Sequence, residues 1–145
     1  MLPFQVELRG GVSVHQQVIY AVRKAVVAGR LRPGDRFPSV RHLSVELRIN
    51  PNTAHKVVSA LVGEGLLEVH PGVGTIVAVA HAATAEELRK LLEEEVERIV
   101  VESKKHSLGL EDLLEAVTRH WRALDEPEAA KGSTRRREQR SEKTP

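Results

Sequence analysis

Cysteine is absent from the 145-residue chain, which excludes disulfide cross-links and thiolate metal sites. Only 3% of the residues are aromatic, so a core has to be built from Val, Leu, Ile and Ala. No apolar run approaches the roughly 18 residues of a membrane-spanning helix, and no basic segment precedes an apolar run at the N-terminus. We therefore expect a cytoplasmic protein with neither a signal peptide nor a membrane span.

Catalytic and metal-binding patterns are also missing. The seven histidines include no pair at i and i+4 and no carboxylate spacing typical of a zinc site. No Ser-His-Asp order, nucleophile elbow or phosphate-cradling loop stands out. We therefore expect no catalytic residue, no metal, no cofactor and no enzymatic activity.

The net charge of +2 is distributed unevenly along the chain. Residues 1–80 carry nine Lys/Arg and five Asp/Glu, a net +4. Residues 81–130 carry seven and thirteen, a net −6, and residues 131–145 carry six and two, a net +4. A basic first half suits a polyanionic partner, although solvated charged faces explain such an asymmetry equally well.

Helical spacing and turn residues predict three helices in the first half. Ser13 and Gln16 predict a capping box for the first helix, which Gly29 ends. Ser39 is expected to cap a short second helix, and a tight turn leads from it into the third. The residues expected to face the core are Val14, Val18, Val22, Ala25, Val26, Val40, Leu43, Leu47, Ala54, Val57, Val58 and Leu61.

Short β-strands are predicted around these helices. Residues 4–8 alternate like an edge strand, and residues 66–70 and 75–79 are predicted as two strands joined by a hairpin loop at 71–74. Three helices followed by a hairpin is the order of a winged helix-turn-helix domain. The predicted fold class is therefore mainly α with a small β-wing.

The most informative segment, residues 50–56, opens the third helix. Asn50 is expected to cap that helix, and Pro51 fits its first position because no partner is needed there for a backbone N–H. Polar side chains then point away from the apolar face and can meet base edges and phosphates in a major groove. These side chains are Asn52, Thr53, His55 and Lys56.

Two amphipathic helices are predicted after the winged domain. Thr84 and Glu87 form a capping box for one of them, and Ser107-Leu108-Gly109 separates it from the other. A second copy of the chain is the simplest partner for the two apolar stripes, and folding back onto the winged domain is the alternative. The stripes comprise Leu88, Leu91, Leu92, Val96, Ile99 and Val100, then Leu110, Leu113, Leu114, Val117, Trp121 and Leu124.

The predicted organisation has three parts. Residues 1–80 form the winged helix-turn-helix domain, and residues 84–125 form a two-helix segment for dimerisation or effector binding. Residues 126–145 lack apolar periodicity and are predicted to be a disordered basic tail.

Four elements resemble GntR-type bacterial transcription regulators in order and spacing over residues 12–79. They are Pro-Gly-Asp-Arg-Phe-Pro-Ser-Val-Arg at 33–41, Ile-Asn-Pro-Asn-Thr at 49–53, Leu61 with Glu-Gly-Leu at 64–66, and Gly-Val-Gly-Thr at 72–75. The Asn-Pro-Asn-Thr form and the short two-helix C-terminus are most similar to the YtrA-like subgroup. The resemblance implies a dimer without a large effector domain, often acting on membrane transporter operons.

The resemblance also implies positions that contact DNA. It assigns an arginine contact to Arg41 in the second helix, and it assigns the wing glycine to Gly72. The recognition-helix positions fall on Pro51, Asn52, Thr53 and His55. Many relatives have arginine where Pro51 and His55 stand, and a mostly neutral histidine is a poor phosphate ligand.

We therefore predict a sequence-specific regulator of transcription, a repressor, that binds double-stranded DNA as a homodimer at an inverted repeat. Two other interpretations are open. One is a ligand-sensing regulator with an effector pocket in the C-terminal helices, and the other is a protein-interaction module on a winged scaffold. The sequence does not decide whether a small-molecule effector exists. The predicted DNA-binding residues are Arg41, Asn50, Asn52, Thr53, His55, Lys56 and Gly72.

Overall fold

The computed structural model describes residues 1–126, and the predicted basic tail from residue 127 onward lies outside the described residues. The described residues divide into two compact units, residues 1–82 and residues 83–126. The first unit contains three helices and two strands: α1 (Val14–Val27), α2 (Val40–Leu47), α3 (Pro51–Gly63), β1 (Leu67–His70) and β2 (Gly74–Val77). The second contains α4 (Ala85–Arg89), a π-helical segment (Lys90–Glu95), α5 (Val96–Lys105) and α6 (Leu110–Asp125). The mainly helical winged fold is therefore confirmed.

Helix α3 lies at the centre of the first unit, where it packs against α1, α2 and β1. Its predicted apolar face is buried, and so are the central apolar residues of α1 and α2. Phe37 and Leu31, from the link between α1 and α2, complete this core. The buried residues of the three helices are Val18, Ile19, Ala21, Val22, Ala25, Leu43, Ala54, Val57, Val58 and Leu61.

The predicted capping box of α1 is wrong. Ser13 stands at the N-cap, but its hydroxyl is hydrogen bonded to Nδ1 of His15 at 2.7 Å and makes no cap hydrogen bond. Gln17 is the residue that organises this end of the helix. Its amide accepts from Arg9 N–H at 2.8 Å and donates to the carbonyls of Arg9 and Val12 at 2.9 and 3.1 Å.

The predicted edge strand at residues 4–8 is also wrong, since this segment has no strand pairing. The edge of β2 that faces away from β1 is occupied by residues 35–37. Phe37 N–H donates to the Thr75 carbonyl and Val77 N–H to the Asp35 carbonyl, both at 2.8 Å. The N-terminal arm is held by side chains instead. Phe4 is buried and stacks on Phe37 with ring centroids 5.9 Å apart.

The wing is an antiparallel hairpin of β1 and β2 with His70 opposite Gly74. Both strands are one residue shorter than predicted, because β1 begins at Leu67 and β2 ends at Val77. Gly74 pairs within β2, which leaves a loop of residues 71–73. The inner ends of the strands, Leu67 and Val77, are buried in the core of the first unit. The hairpin therefore continues the core outward into an exposed loop.

The second unit consists of helices with exposed faces. Thr84 Oγ1 accepts the Glu87 N–H at 3.1 Å, as expected for the start of α4. The predicted stripe then crosses the π-helical segment, whose wider turn rotates the residues after it relative to a continuous α-helix. Ser107, with a φ of 58°, lies in the break before α6. Within residues 83–126 no side chain of a helix is buried, and no helix there or in the first unit has the length and hydropathy to cross a membrane.

Candidate nucleic-acid interface

A three-residue turn, 48–50, orients α3 relative to α2. The Ser44 hydroxyl donates to the Ile49 carbonyl at 2.8 Å, and Ile49 N–H donates back to the Ser44 carbonyl at 3.1 Å. Ile49 is half-buried against the core. These contacts fix the direction in which α3 starts.

Asn50 caps α3 as predicted. Its side-chain oxygen accepts the Asn52 N–H at 2.8 Å, and Pro51 occupies the first helical position. The side-chain oxygen is therefore engaged in the cap, and what remains for an external acceptor is the Asn50 side-chain NH₂ group. Asn50 contributes to the site mainly by stabilising the start of the helix.

The exposed face of α3 is a polar arc, which we define as Asn52, His55, Lys56 and Ser59. At 100° per residue these four positions fall within about 100° of the helix circumference, opposite the buried face. Thr53 is half-buried at the margin of the arc. Ser59 was not among the predicted residues, although its spacing from Asn52 and Lys56 is the signal that identifies it. The arc can present amide, imidazole, ammonium and hydroxyl groups to one external surface.

Arg41 lies in the first turn of α2, just after the Ser39 cap, and is exposed. Ser39 Oγ accepts the His42 N–H at 3.1 Å, so the cap holds the helix start that carries Arg41. Within residues 1–126, the side chains of Arg41 and Lys56 make no hydrogen bond or ion pair. Both cations are available for an external anion.

Gly72 lies at the tip of the wing loop, is exposed, and has a φ of 77°. No protein atom lies within 4 Å of a Cβ built at this position. Turn geometry alone therefore accounts for the glycine on the protein side. The open space also leaves the backbone accessible to a large partner.

The Pro-Gly-Asp-Arg-Phe-Pro-Ser motif connects the wing to α2. Gly34 N–H donates to the Val77 carbonyl at 2.9 Å, and Arg36 is bridged to Ile76. Ser39 caps α2 only three residues after that bridge. One short segment thus places the wing beside the start of the helix that carries Arg41.

Ion pairing separates the cations of the first unit into two groups. Arg23 of α1 forms a bidentate pair with Glu64 at the end of α3, with Nε 2.8 Å from Oε2 and Nη2 also bonded to Oε1. The hydrogen bonds to the Glu64 carboxylate raise the pKa of Arg23. Arg23 stays charged, and its charge is balanced by a carboxylate of the same protein. In the described part of the chain, Arg36 and Arg48, like Arg41 and Lys56, have exposed side chains without such a partner. Arg36 and Arg48 were not predicted as site residues.

The comparisons with known proteins agree with this geometry. The model of the family "Bacterial regulatory proteins, gntR family" matches residues 14–77. The regulator YhcF of Bacillus subtilis is 32% identical over 112 residues, which cover 77% of this chain and 92% of YhcF. This chain belongs to the gntR family. The family prediction made from the sequence motifs is therefore confirmed, and the chain is a DNA-binding regulator of transcription rather than an enzyme.

The similarity extends beyond the winged domain. The transcriptional repressor YtrA of Bacillus subtilis is 29% identical over 112 residues, covering 77% of this chain and 86% of YtrA. A match of 112 residues is longer than the first unit, so it reaches into the C-terminal helices. The crystal structure of a transcriptional antiterminator from Listeria monocytogenes EGD-e is 17% identical, has a TM-score of 0.76, and is similar over 86% of this chain and 93% of its own. At that identity the structural likeness shows the shared fold.

The structure places the predicted site residues on three elements. Arg41 lies on α2, Gly72 lies on the wing, and the other five lie at the start of α3. Which of them touch DNA stays a prediction. Across the described residues, no three His, Asp or Glu side chains are grouped so that they could hold a metal ion.

Proposed function

We propose that the chain is a homodimeric repressor that inserts the start of α3 into the major groove of an inverted-repeat operator. The observation that carries this proposal is the polar arc of α3, exposed on a helix whose opposite face is fully buried. A rigid helix with polar groups on its first turns has the shape and chemistry to read base edges.

The residues divide into two roles by their chemistry. Arg41 and Lys56 carry unpaired charges and contact phosphates, which positions the protein without reading sequence. Asn52, Thr53 and His55 contact base edges, and Asn52 can bind adenine through two hydrogen bonds. Gly72 lets the protein backbone of the wing approach the sugar-phosphate backbone or the minor groove of the flanking DNA.

Dimerisation is supported by the exposed apolar face of α6. Leu110, Leu114, Val117 and Trp121 recur at spacings of four, three and four residues, and between 49% and 72% of each residue is exposed. Such a face is stabilised by burial against a like face, and a second copy of the chain supplies one. Two protomers related by a two-fold axis match an inverted repeat with half-sites about 10 base pairs apart, or a multiple of that.

The relative YtrA is a transcriptional repressor, which supports repression rather than activation by this chain. The resemblance to its subgroup makes a transporter operon the proposed target, with the cytoplasm as the site of action.

Two recesses lie on the C-terminal helices, one along α6 and one between α5 and Leu108, and both are open to solvent. No observation therefore favours the ligand-sensing alternative. The unpaired cations around α2 and α3 favour DNA over a protein-interaction role.

The proposal is tested by selecting binding sites from a randomised DNA pool. The wild type is expected to select an inverted repeat. Asn52→Ala should select a motif that is relaxed at one position in each half-site, because the Asn52 side chain makes no hydrogen bond within residues 1–126 and its loss leaves the fold intact. Gln16→Ala, at an exposed position of α1, is the control and should select the wild-type motif.

Salt titration distinguishes the residues that contact phosphates from those that contact base edges. Lys56→Ala should keep the selected motif but lower the slope of log affinity against log salt by about 0.9 per protomer. An identical motif from Asn52→Ala would contradict direct readout by Asn52. An unchanged slope for Lys56→Ala would contradict its phosphate contact.

A further inference from the structure

Arg48, in the turn between α2 and α3, has a backbone conformation that arginine rarely adopts. Its φ of 52° and ψ of 47° place it in the left-handed helical region. Among the described residues, Ser107 is the one other non-glycine residue with a positive φ. Glycine adopts this conformation without steric cost, whereas a residue with a Cβ is strained there.

The surrounding hydrogen bonds prevent Arg48 from relaxing into an ordinary conformation. Arg48 N–H donates to the Val45 carbonyl at 3.4 Å, and the two Ser44–Ile49 hydrogen bonds close the turn around it. Ile49, the next residue, is anchored in the core. The turn therefore needs this backbone conformation, but it does not need an arginine side chain.

The structure shows no contact through which the side chain of Arg48 stabilises the fold. It is exposed, and within residues 1–126 it makes no hydrogen bond or ion pair. Arg48 precedes the cap residue Asn50 by two positions, so its Cα lies within about 7 Å of the start of α3. A fully extended arginine side chain adds a similar reach. When α3 enters a major groove, the phosphates at the edge of that groove come within range of the guanidinium group.

We propose that Arg48 is a DNA-contacting residue that binds a backbone phosphate and positions α3 in the groove. This proposal depends on the proposed insertion of α3. The guanidinium group binds phosphate oxygens through two parallel hydrogen bonds, which fixes orientation as well as register. A phosphate contact would explain why an arginine stands in this strained backbone conformation beside α3, since glycine would relieve the strain but has no side chain to make the contact.

The test compares four variants on the duplex that the wild type selects from a randomised pool. Arg48→Gly and Arg48→Asn both remove the charge at residues that tolerate a positive φ. Arg48→Lys keeps the charge, and Arg41→Ala is the reference for a phosphate contact elsewhere. Affinity is measured by fluorescence anisotropy across a series of salt concentrations, and the melting temperature is measured for each variant.

Stability and binding are expected to change in opposite directions. Arg48→Gly should melt roughly 2–4 °C higher, because the backbone strain is relieved. Arg48→Gly and Arg48→Asn should nevertheless bind about tenfold more weakly, with a salt slope lower by about 0.9 per protomer. Arg48→Lys should keep the wild-type slope, because its charge still neutralises the phosphate.

Two negative outcomes are distinguishable. If Arg48→Gly and Arg48→Asn keep the wild-type affinity and slope while Arg41→Ala lowers both, Arg48 is only a turn residue and the inference is wrong. If the wild type fails to bind any duplex at low salt, the proposed function itself fails, and the inference fails with it.

Discussion

The two units of this chain carry amphipathic patterns of similar quality and use them differently. Every buried hydrophobic residue of the described chain lies between Phe4 and Ala78, in the first unit. Helices α4 to α6 bury none of their side chains, although Leu114 and Trp121 follow the same helical spacing as the core residues of α3. A periodic pattern therefore identifies a face that needs covering, and only the structure shows whether the chain itself covers it.

The largest expected effect is on the core of the first unit. Leu61→Ala should lower the free energy of unfolding by about 2–5 kcal/mol, because Leu61 is fully buried and its truncation leaves a cavity. Urea denaturation measures the change. The shift should not depend on protein concentration, because the cavity lies within one protomer. A cost below about 1 kcal/mol would contradict the tight packing of α3.

The second unit should respond through association instead. Leu114→Asp places a carboxylate in the proposed interface, so the dissociation constant of the dimer should rise by about a hundredfold or more. Sedimentation equilibrium measures this. Trp121 provides an optical readout, because the single tryptophan of the chain should emit at longer wavelength once the dimer separates.

Glu115→Gln is the matched control for that experiment. Glu115 lies next to Leu114 on α6 and is exposed. The variant should associate like the wild type. A wild type that stays monomeric at high concentration would overturn the contrast between the two units.

Much of the first unit was predictable because its signals are local. The buried face of α3 follows from helical spacing, and the Asn50 and Ser39 caps follow from residue type and position. The polar residues of the site followed from the same pattern, since whatever faces away from a buried stripe is exposed.

The errors concern features that residue type and spacing do not settle. Residues 4–8 form no strand: residues 35–37 occupy the outer edge of β2, and Phe4 is held in the core against Phe37 instead. Ser13 makes no cap because its hydroxyl bonds His15 instead. The left-handed conformation of Arg48 was not predicted, because no local sequence pattern indicates it at an arginine.

A smaller loss of stability is expected from removing a helix cap, and two serines at helix starts in the first unit allow a comparison. Ser39→Ala should cost about 1 kcal/mol of stability, because its hydroxyl accepts the His42 N–H. Ser13→Ala should change stability far less, since its hydroxyl makes no cap hydrogen bond. Thermal denaturation of the two variants decides the matter. Equal losses would contradict the assignment of the caps.

The smallest effect is expected at an exposed ion pair of the second unit. Arg89 donates to both oxygens of Glu86, at 3.0 and 2.7 Å, and these hydrogen bonds hold the pKa of Glu86 below its ordinary value. A lowered pKa in the folded state stabilises the fold above the ordinary pKa, and this contribution is lost as the pH falls through the lowered value.

Glu86→Gln should therefore melt slightly below the wild type at pH 7, and the difference should disappear as the pH falls below the ordinary pKa of a glutamate and through the lowered pKa of Glu86. Melting curves across this range measure the effect. A difference that grows toward low pH would have the wrong sign for this ion pair.

The most direct test of the central claim is a hydroxyl-radical footprint of the full chain on its selected duplex. Insertion of α3 by each of two protomers predicts two protected patches, related by two-fold symmetry and separated by about 10 base pairs or a multiple of that. A single asymmetric patch, or no protection at a salt concentration where the chain is bound, would contradict a symmetric dimer that reads DNA with α3.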